Sequence, residues 1–315
     1  MLTKMEHRVA VIGAHTFVPV SDGDSAVWQQ TQKIAESLGQ ASLRRLDPLS
    51  QYAIYAVHQA RLAAGIAAEE HSMKGAQCGV CVGTALGAQN TRIRYARRLA
   101  LHGLSATNPI DFPDSIDGAP AAHIAIRWGL QGPSLTFADG KGSATNALIA
   151  ACRQLATGRA ERMYVVMGDA FDPFIRNAMA QSSLAPQIGI TSTSIDDSNA
   201  FALSNDVVLA LILQPLDDTS IDEPPVEVVG FLGPNRDKLD WGAASLFRDV
   251  TTQNKRRAYG DLSGAALIAG AWHGVAAPMC KNGLSCQDNA MNVRGYRCGL
   301  DDARFPNLAF QRLAR

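Results

Sequence analysis

The residues with the clearest chemical potential lie between Gly132 and Leu148, in the run Gly-Pro-Ser-Leu-Thr-Phe-Ala-Asp-Gly-Lys-Gly-Ser-Ala-Thr-Asn-Ala-Leu. Residues 134–138 read as a buried strand. Asp139-Gly140-Lys141-Gly142 supplies two glycines for a sharp reversal. Ser143 is a candidate N-cap, and Ala147, Leu148, Ala151, Cys152 and Leu155 then repeat at helical spacing up to Gly158. A strand, a tight elbow and a helix form an arrangement that exposes the residue at the tip and sets it over a helix N-terminus, where negative charge is favoured. The tip residue is Lys141. An amine there could bind a phosphate or carboxylate, or act as a nucleophile or base if desolvated. Gly140, Lys141, Gly142 and Ser143 are the candidate binding residues.

Other polar residues carry weaker signals. Arg92, Arg94, Arg97 and Arg98 cluster in a helical stretch, 87–101, and read either as a solvated basic face or as a docking surface for an acidic carrier protein. Asp169 and Asp172 follow a strand and could reach a cleft, although a turn or helix cap accounts for them. His123 lies in a mainly apolar helical stretch and reads as a core or boundary histidine. Cys78 and Cys81 have redox or zinc spacing, but in a strand pattern they point to opposite faces and read as structural. Cys152 belongs to the apolar face of the elbow helix. Cys280, Cys286 and Cys298, even with His273, fit no compact zinc motif, so no metal site is expected. Gly140-Lys141-Gly142-Ser143 lacks the spacing of a phosphate-binding P-loop, and no cofactor is expected.

The elements that must position these residues alternate in an α/β pattern. Strands are expected at 9–12, 163–167, 207–213 and 226–231. Helices are expected at 50–64, 87–101, near 239–250 and at 262–274. The Asp- and Pro-rich stretch 217–225 is the best internal linker. It separates an N-terminal half, 1–217, from a short C-terminal half, 226–277, followed by an irregular tail, 278–315, all within one compact domain. At 315 residues, with 47% hydrophobic and 18% charged residues, the chain can bury a substantial core. Its Lys plus Arg and Asp plus Glu are 29 each, which gives no electrostatic case for nucleic acid. No apolar run suggests a membrane span and no signal-peptide core is visible, so a cytoplasmic protein with reduced thiols is expected.

Several segments in order resemble the β-ketoacyl synthase branch of the thiolase-fold condensing enzymes. They are Arg8-Val-Ala-Val-Ile-Gly13, Cys78-Gly-Val-Cys-Val-Gly-Thr-Ala-Leu-Gly87, Asn108-Pro109 with Phe112-Pro113, Gly132-Pro133-Ser134-Leu135-Thr136, and the run from Gly158 to Gly168. The resemblance implies a thiolase-like, layered αβαβα fold with, here, a shortened C-terminal half. It also places Lys141 where the family carries its acyl-accepting cysteine. Gly260-Asp-Leu-Ser-Gly-Ala-Ala266 resembles the segment with the family's second active-site histidine, and Asp261 stands in that place. The first histidine's His-Gly-Thr motif has no counterpart between Gly168 and Gly260.

These departures change the chemistry expected. A thioester can be displaced by a carbanion, whereas an amine at the same position would form a stable amide. Decarboxylation of a malonyl thioester needs hydrogen-bond donors on the thioester oxygen, and an ionised Asp261 would repel the developing enolate. The resemblance therefore implies a pseudo-ketosynthase akin to chain-length factors. Its expected partners are an active ketosynthase, or a second copy of itself, and an acyl carrier protein. In the family the strand before the elbow pairs across the dimer axis, which would be residues 134–138. The alternative is an acyl- or phosphopantetheine-binding protein, or an enzyme using Lys141. The opposite charges of Lys141 and Asp261 suggest a compensated pair filling the former catalytic pocket.

Overall fold

The computed structural model describes residues 3–17, 32, 34–39, 41–66, 77–175, 178, 206–216, 226–232, 247–250, 295–298 and 307–312. In chain order, β1 (Thr3–Phe17) is followed by α1 (Pro48–Ala63), β2 (Cys78–Gly83) and α2 (Gln89–His102). Three short 3-10 turns between 104 and 115 lead to α3 (Ala119–Trp128), then β3 (Ser134–Phe137), α4 (Ser143–Ala156) and β4 (Arg162–Asp169). The remaining strands are β5 (Val207–Pro215), β6 (Val226–Leu232), β7 (Phe247–Val250), β8 (Gly295–Cys298) and β9 (Asn307–Arg312).

The nine strands among the described residues lie in one mixed sheet of order β3-β2-β4-β5-β1-β6-β9-β8-β7. β2 runs parallel to both β3 and β4, whereas β5 is antiparallel to β4 and β1. Four strands of the N-terminal half therefore point one way, with β5 opposed. Period-two alternation then divides the core. Met163, Val165, Met167, Leu209 and Leu211 meet α4 on one face. Tyr164, Val166, Val208, Ala210 and Ile212 meet α1 and α3 on the other. Strands covered on both faces read as continuous apolar runs, as 163–167 and 207–213 do.

Helix ends follow local chemistry. Asp47 caps α1, accepting from Leu49 N at 2.9 Å, with Pro48 in the first turn. α4 buries the expected stripe Ala147, Leu148, Ala151, Cys152 and Leu155.

Three expectations change. Residues 134–137 are a strand, but an exposed to half-buried one, because among the described strands β3 ends the sheet and has a neighbour only on the β2 side. Residues 247–250 form β7 where a helix was expected, and β8 and β9 fall in the segment expected to be irregular. Both short strands gain ladder partners distant in sequence, which local periodicity does not reveal. The expected helix at 262–274 and Asp261 lie outside the described residues.

Candidate functional site

The parallel strands β2, β3 and β4 end together, and their C-terminal loops converge there. After β3 the chain enters the elbow, where Gly140 takes φ +72°, a left-handed conformation that a side chain would strain. Residues Gly140–Gly142 form a single 3-10 turn, with the Lys141 backbone at its centre, and α4 begins immediately at Ser143. Strand, elbow and helix thus form in the order expected.

Ser143 plays a different part from the N-cap expected of it. It is the first residue of α4, Gly142 occupies the cap position, and no side chain caps the helix. Instead the buried Ser143 Oγ accepts from Asp139 N at 2.9 Å and donates to Gly140 O at 2.7 Å. Its hydroxyl closes the elbow on itself. The exposed Asp139 carboxylate accepts from the Asn146 side-chain amide in the first turns of α4. An anion of the chain's own therefore sits beside that helix N-terminus.

The loop after β2 is held by a carboxylate from β4. Asp169 Oδ1 accepts from Thr84 Oγ1 at 2.6 Å and from Ala85 N and Leu86 N at 2.9 Å each. Gln89 Nε2 and Asn90 Nδ2 both donate to Ala170 O, at 2.8 and 2.9 Å, and Asp206 Oδ1 accepts from Phe171 N at 2.8 Å. Asp172 Oδ1 accepts from Phe174 N. Asp169 and Asp172 thus serve turns and a cap. Thr84 and Asp206 escaped sequence reasoning because their partners are 85 and 35 residues away.

The thiols of Cys78, Cys81 and Cys152 are structural. Cys78 and Cys81 are buried on opposite faces of β2, one in each core, and Cys152 is buried with Cys81. Burial pushes the Cys81 thiol up to about 12 and raises Cys152 as well, which removes the thiolate either would need as a nucleophile. Among the described residues no group of His, Cys, Asp and Glu could hold a metal.

The arginines of α2 are largely spoken for. Arg94 and Arg98 bond Asp111 at 3.3 and 3.5 Å, and Arg92 pairs with Asp117. They fasten the 104–117 segment to α2 while leaving Leu104, Ile110, Phe112 and Ile116 exposed. Arg97 is exposed. His123 Nε2 lies 2.7 Å from Asp114 Oδ1, at the boundary position expected of it.

The profile of the beta-ketoacyl synthase N-terminal domain matches residues 15–217. Nodulation protein E of Rhizobium meliloti (strain 1021) is 27% identical over 134 residues, covering 42% of this chain and 33% of that protein. Nodulation protein E of Rhizobium sp. (strain N33) is 28% identical over 130 residues, covering 41% and 31%. These alignments span about a third of the curated relatives' length. Among solved structures, a type II polyketide synthase acyl-carrier protein in complex with its ketosynthase bound to the hexaketide (AntDE:AntF) matches at TM-score 0.69 and 15% identity. That match covers 98% of this chain and 100% of the other. A beta-ketoacyl synthase from Burkholderia phymatum STM815 matches at 0.63 and 15%, with the same coverage. The ishigamide ketosynthase/chain length factor matches at 0.53 and 17%, covering 71% and 66%. The fold is thus the thiolase-like α/β fold. Among the described residues no helix is long and apolar enough to cross a membrane.

Proposed function

The chain belongs to the β-ketoacyl synthase family, and from that premise we propose that it is a non-catalytic, chain-length-factor-like subunit. It partners an active ketosynthase, or itself, in cytoplasmic fatty-acid or polyketide-type biosynthesis and meets an acyl carrier protein. The observation that carries this reading is Lys141 at the centre of the β3–α4 elbow, where the family's acyl-accepting cysteine would stand. An amine cannot form the thioester that condensation turns over. Cys78, Cys81 and Cys152 are buried in the two cores and offer no replacement. The outer edge of β3, which no described strand covers, supports a role in pairing, because unpaired strand edges invite another chain.

The alternative, anion binding or Lys141 chemistry at the elbow, meets an obstacle in Asp139. Its carboxylate already lies at the α4 N-terminus and would repel a phosphate or carboxylate there. We extend the leading reading to Lys141 and Asp261, proposed as a buried opposite-charge pair that fills the former pocket. Losing either partner alone should then cost about 3–5 kcal/mol, and Lys141→Met with Asp261→Leu together should recover much of it.

The test is coexpression with any ketosynthase encoded alongside, followed by copurification and a malonyl-carrier decarboxylation assay. Expected are a stable heterodimer and no carbon dioxide release by the isolated chain. Release above background that disappears on changing Lys141 or Asp261 would overturn the reading. Lys141→Cys alone should not revive condensation, since the two histidine donors are still missing.

A further inference from the structure

α2 is buried only at its first turn, and the rest of it meets the 104–117 segment, which Asp114 ties to His123 of α3. Only Gln89 and Thr91 of its fourteen residues are buried. Two of the ties at that turn run to Ala170 O, from Gln89 and Asn90. A third runs to Asp47, whose Oδ2 accepts from Thr91 N at 2.8 Å while Oδ1 accepts from Leu49 N in the first turn of α1. One carboxylate therefore bridges the N-termini of α1 and α2.

The setting of that carboxylate is unusual. Asp47 is completely buried, and the hydrogen bonds it accepts come from neutral backbone amides. The cation whose field reaches it is Arg94 of α2, and that guanidinium is bonded to Asp111. Neither α1 nor α2 has an acidic residue in its first turn. The preceding 3-10 turn, Ala41–Arg45, ends in the exposed Arg44 and Arg45, with Arg44 on Glu36. Ser50 Oγ and Gln51 Oε1, in the turn that Asp47 caps, and Thr91 Oγ1 are buried without a hydrogen-bond partner among the described residues. The Thr91 hydroxyl faces the carboxylate without reaching good hydrogen-bond geometry. The Thr91 oxygen can accept the proton of a neutral acid, whereas an ionised Asp47 bears its burial with no contacting cation among the described residues.

We propose that the seating of the first turn of α2 against the buried Asp47 carboxyl, which also caps α1, is proton-linked, so that α2 loosens as pH rises. Burial pushes the docked Asp47 carboxyl up to about 6, against an ordinary 3.8, with the Thr91 and Leu49 amides, the Thr91 hydroxyl and Arg94 opposing the shift. Undocking returns the group to water and its ordinary value. The docked form is therefore favoured fully below 3.8, and its advantage is lost as pH rises through about 6.

The test is hydrogen exchange of the α2 amides across about pH 5 to 8, corrected for intrinsic exchange rates. Opening of α2 should grow about tenfold over that range in the natural chain and stay flat in Asp47→Asn, which keeps an acceptor for the amides. Equal profiles in the two proteins would overturn the proposal. If the variant does not fold, the carboxyl 13C shift of Asp47 in the natural chain decides instead. A midpoint near 6 supports the linkage, and one at or below the ordinary carboxylate value overturns it.

Discussion

The Thr84 hydroxyl donates to Asp169 Oδ1 at 2.6 Å, tying the loop after β2 to the end of β4. The same oxygen takes the amides of Ala85 and Leu86, so one atom fixes three successive residues beside the elbow. Thr84 Oγ1 in turn accepts from Gly87 N at 2.9 Å, which carries the constraint to the start of α2.

Removal of that acceptor should be costly. Asp169→Ala leaves a buried hydroxyl and two loop amides without their partner, at about 1–3 kcal/mol for each group that water cannot reach. The expected loss is about 3 kcal/mol by urea unfolding, with Asp169→Asn losing less because it keeps one acceptor oxygen. A loss below about 1 kcal/mol for the alanine variant would mean that water enters the loop freely.

Gly83 should not tolerate even a methyl group. A Cβ built there would lie 2.4 Å from Ser143 O and 2.8 Å from Ala144 Cα, both backbone atoms at the start of α4. Neither can swing aside as a side-chain tip could, so Gly83→Ala must push the elbow away from β2. A destabilisation of about 1–3 kcal/mol is expected by thermal or denaturant unfolding. Unchanged stability would show that the elbow is not seated on β2 as described.

Much of this was legible in the residues themselves, for identifiable reasons. The elbow could be read because its signals are local: two glycines, a strand before and an apolar stripe after. The strands at 163–167 and 207–213 could be read because burial on both faces leaves nothing but apolar residues. The exposure of β3 could not, since strand position in a sheet depends on partners, and Leu135 and Phe137 look the same at an edge as at a centre. Ser143 reads as a cap from sequence because its hydroxyl lies only one position past the cap, which Gly142 occupies. The roles of Asp47 and Asp169 toward α2 and the β2 loop were hidden for a different reason. Each bridges segments 44 or more residues apart, and no spacing rule reaches that far.

The native protein should resist thiol reagents at Cys78, Cys81 and Cys152. All three are buried, and the upward shift of Cys81 to about 12 leaves almost no thiolate at neutral or mildly alkaline pH. Iodoacetamide at about pH 8 followed by peptide mass spectrometry should find these three unmodified until denaturant is added. Rapid labelling of Cys152 in the native state would mean that α4 opens from the sheet far more readily than its sealed packing implies.

The pairing edge offers the sharpest test of the proposed assembly. Val80 N donates to Pro133 O and Thr84 N to Phe137 O. In a parallel ladder this phase turns the backbone groups of Leu135 and Phe137 towards β2, and those of Ser134 and Thr136 towards the open edge. Proline at 136 would thus delete an N–H that bonds nothing within β3's own sheet, and its fixed φ is tolerated on an edge strand. Thr136→Pro should leave the isolated chain's unfolding midpoint nearly unchanged while abolishing strand-to-strand association, whether with a ketosynthase or with a second copy. Sedimentation velocity, alone and with the coexpressed ketosynthase, reads both outcomes. If Thr136→Pro still assembles as the natural chain does, pairing does not run through β3 and another surface must carry it. If instead the variant unfolds early, Thr136→Lys supplies the check, because charge on an edge strand opposes association without removing the N–H.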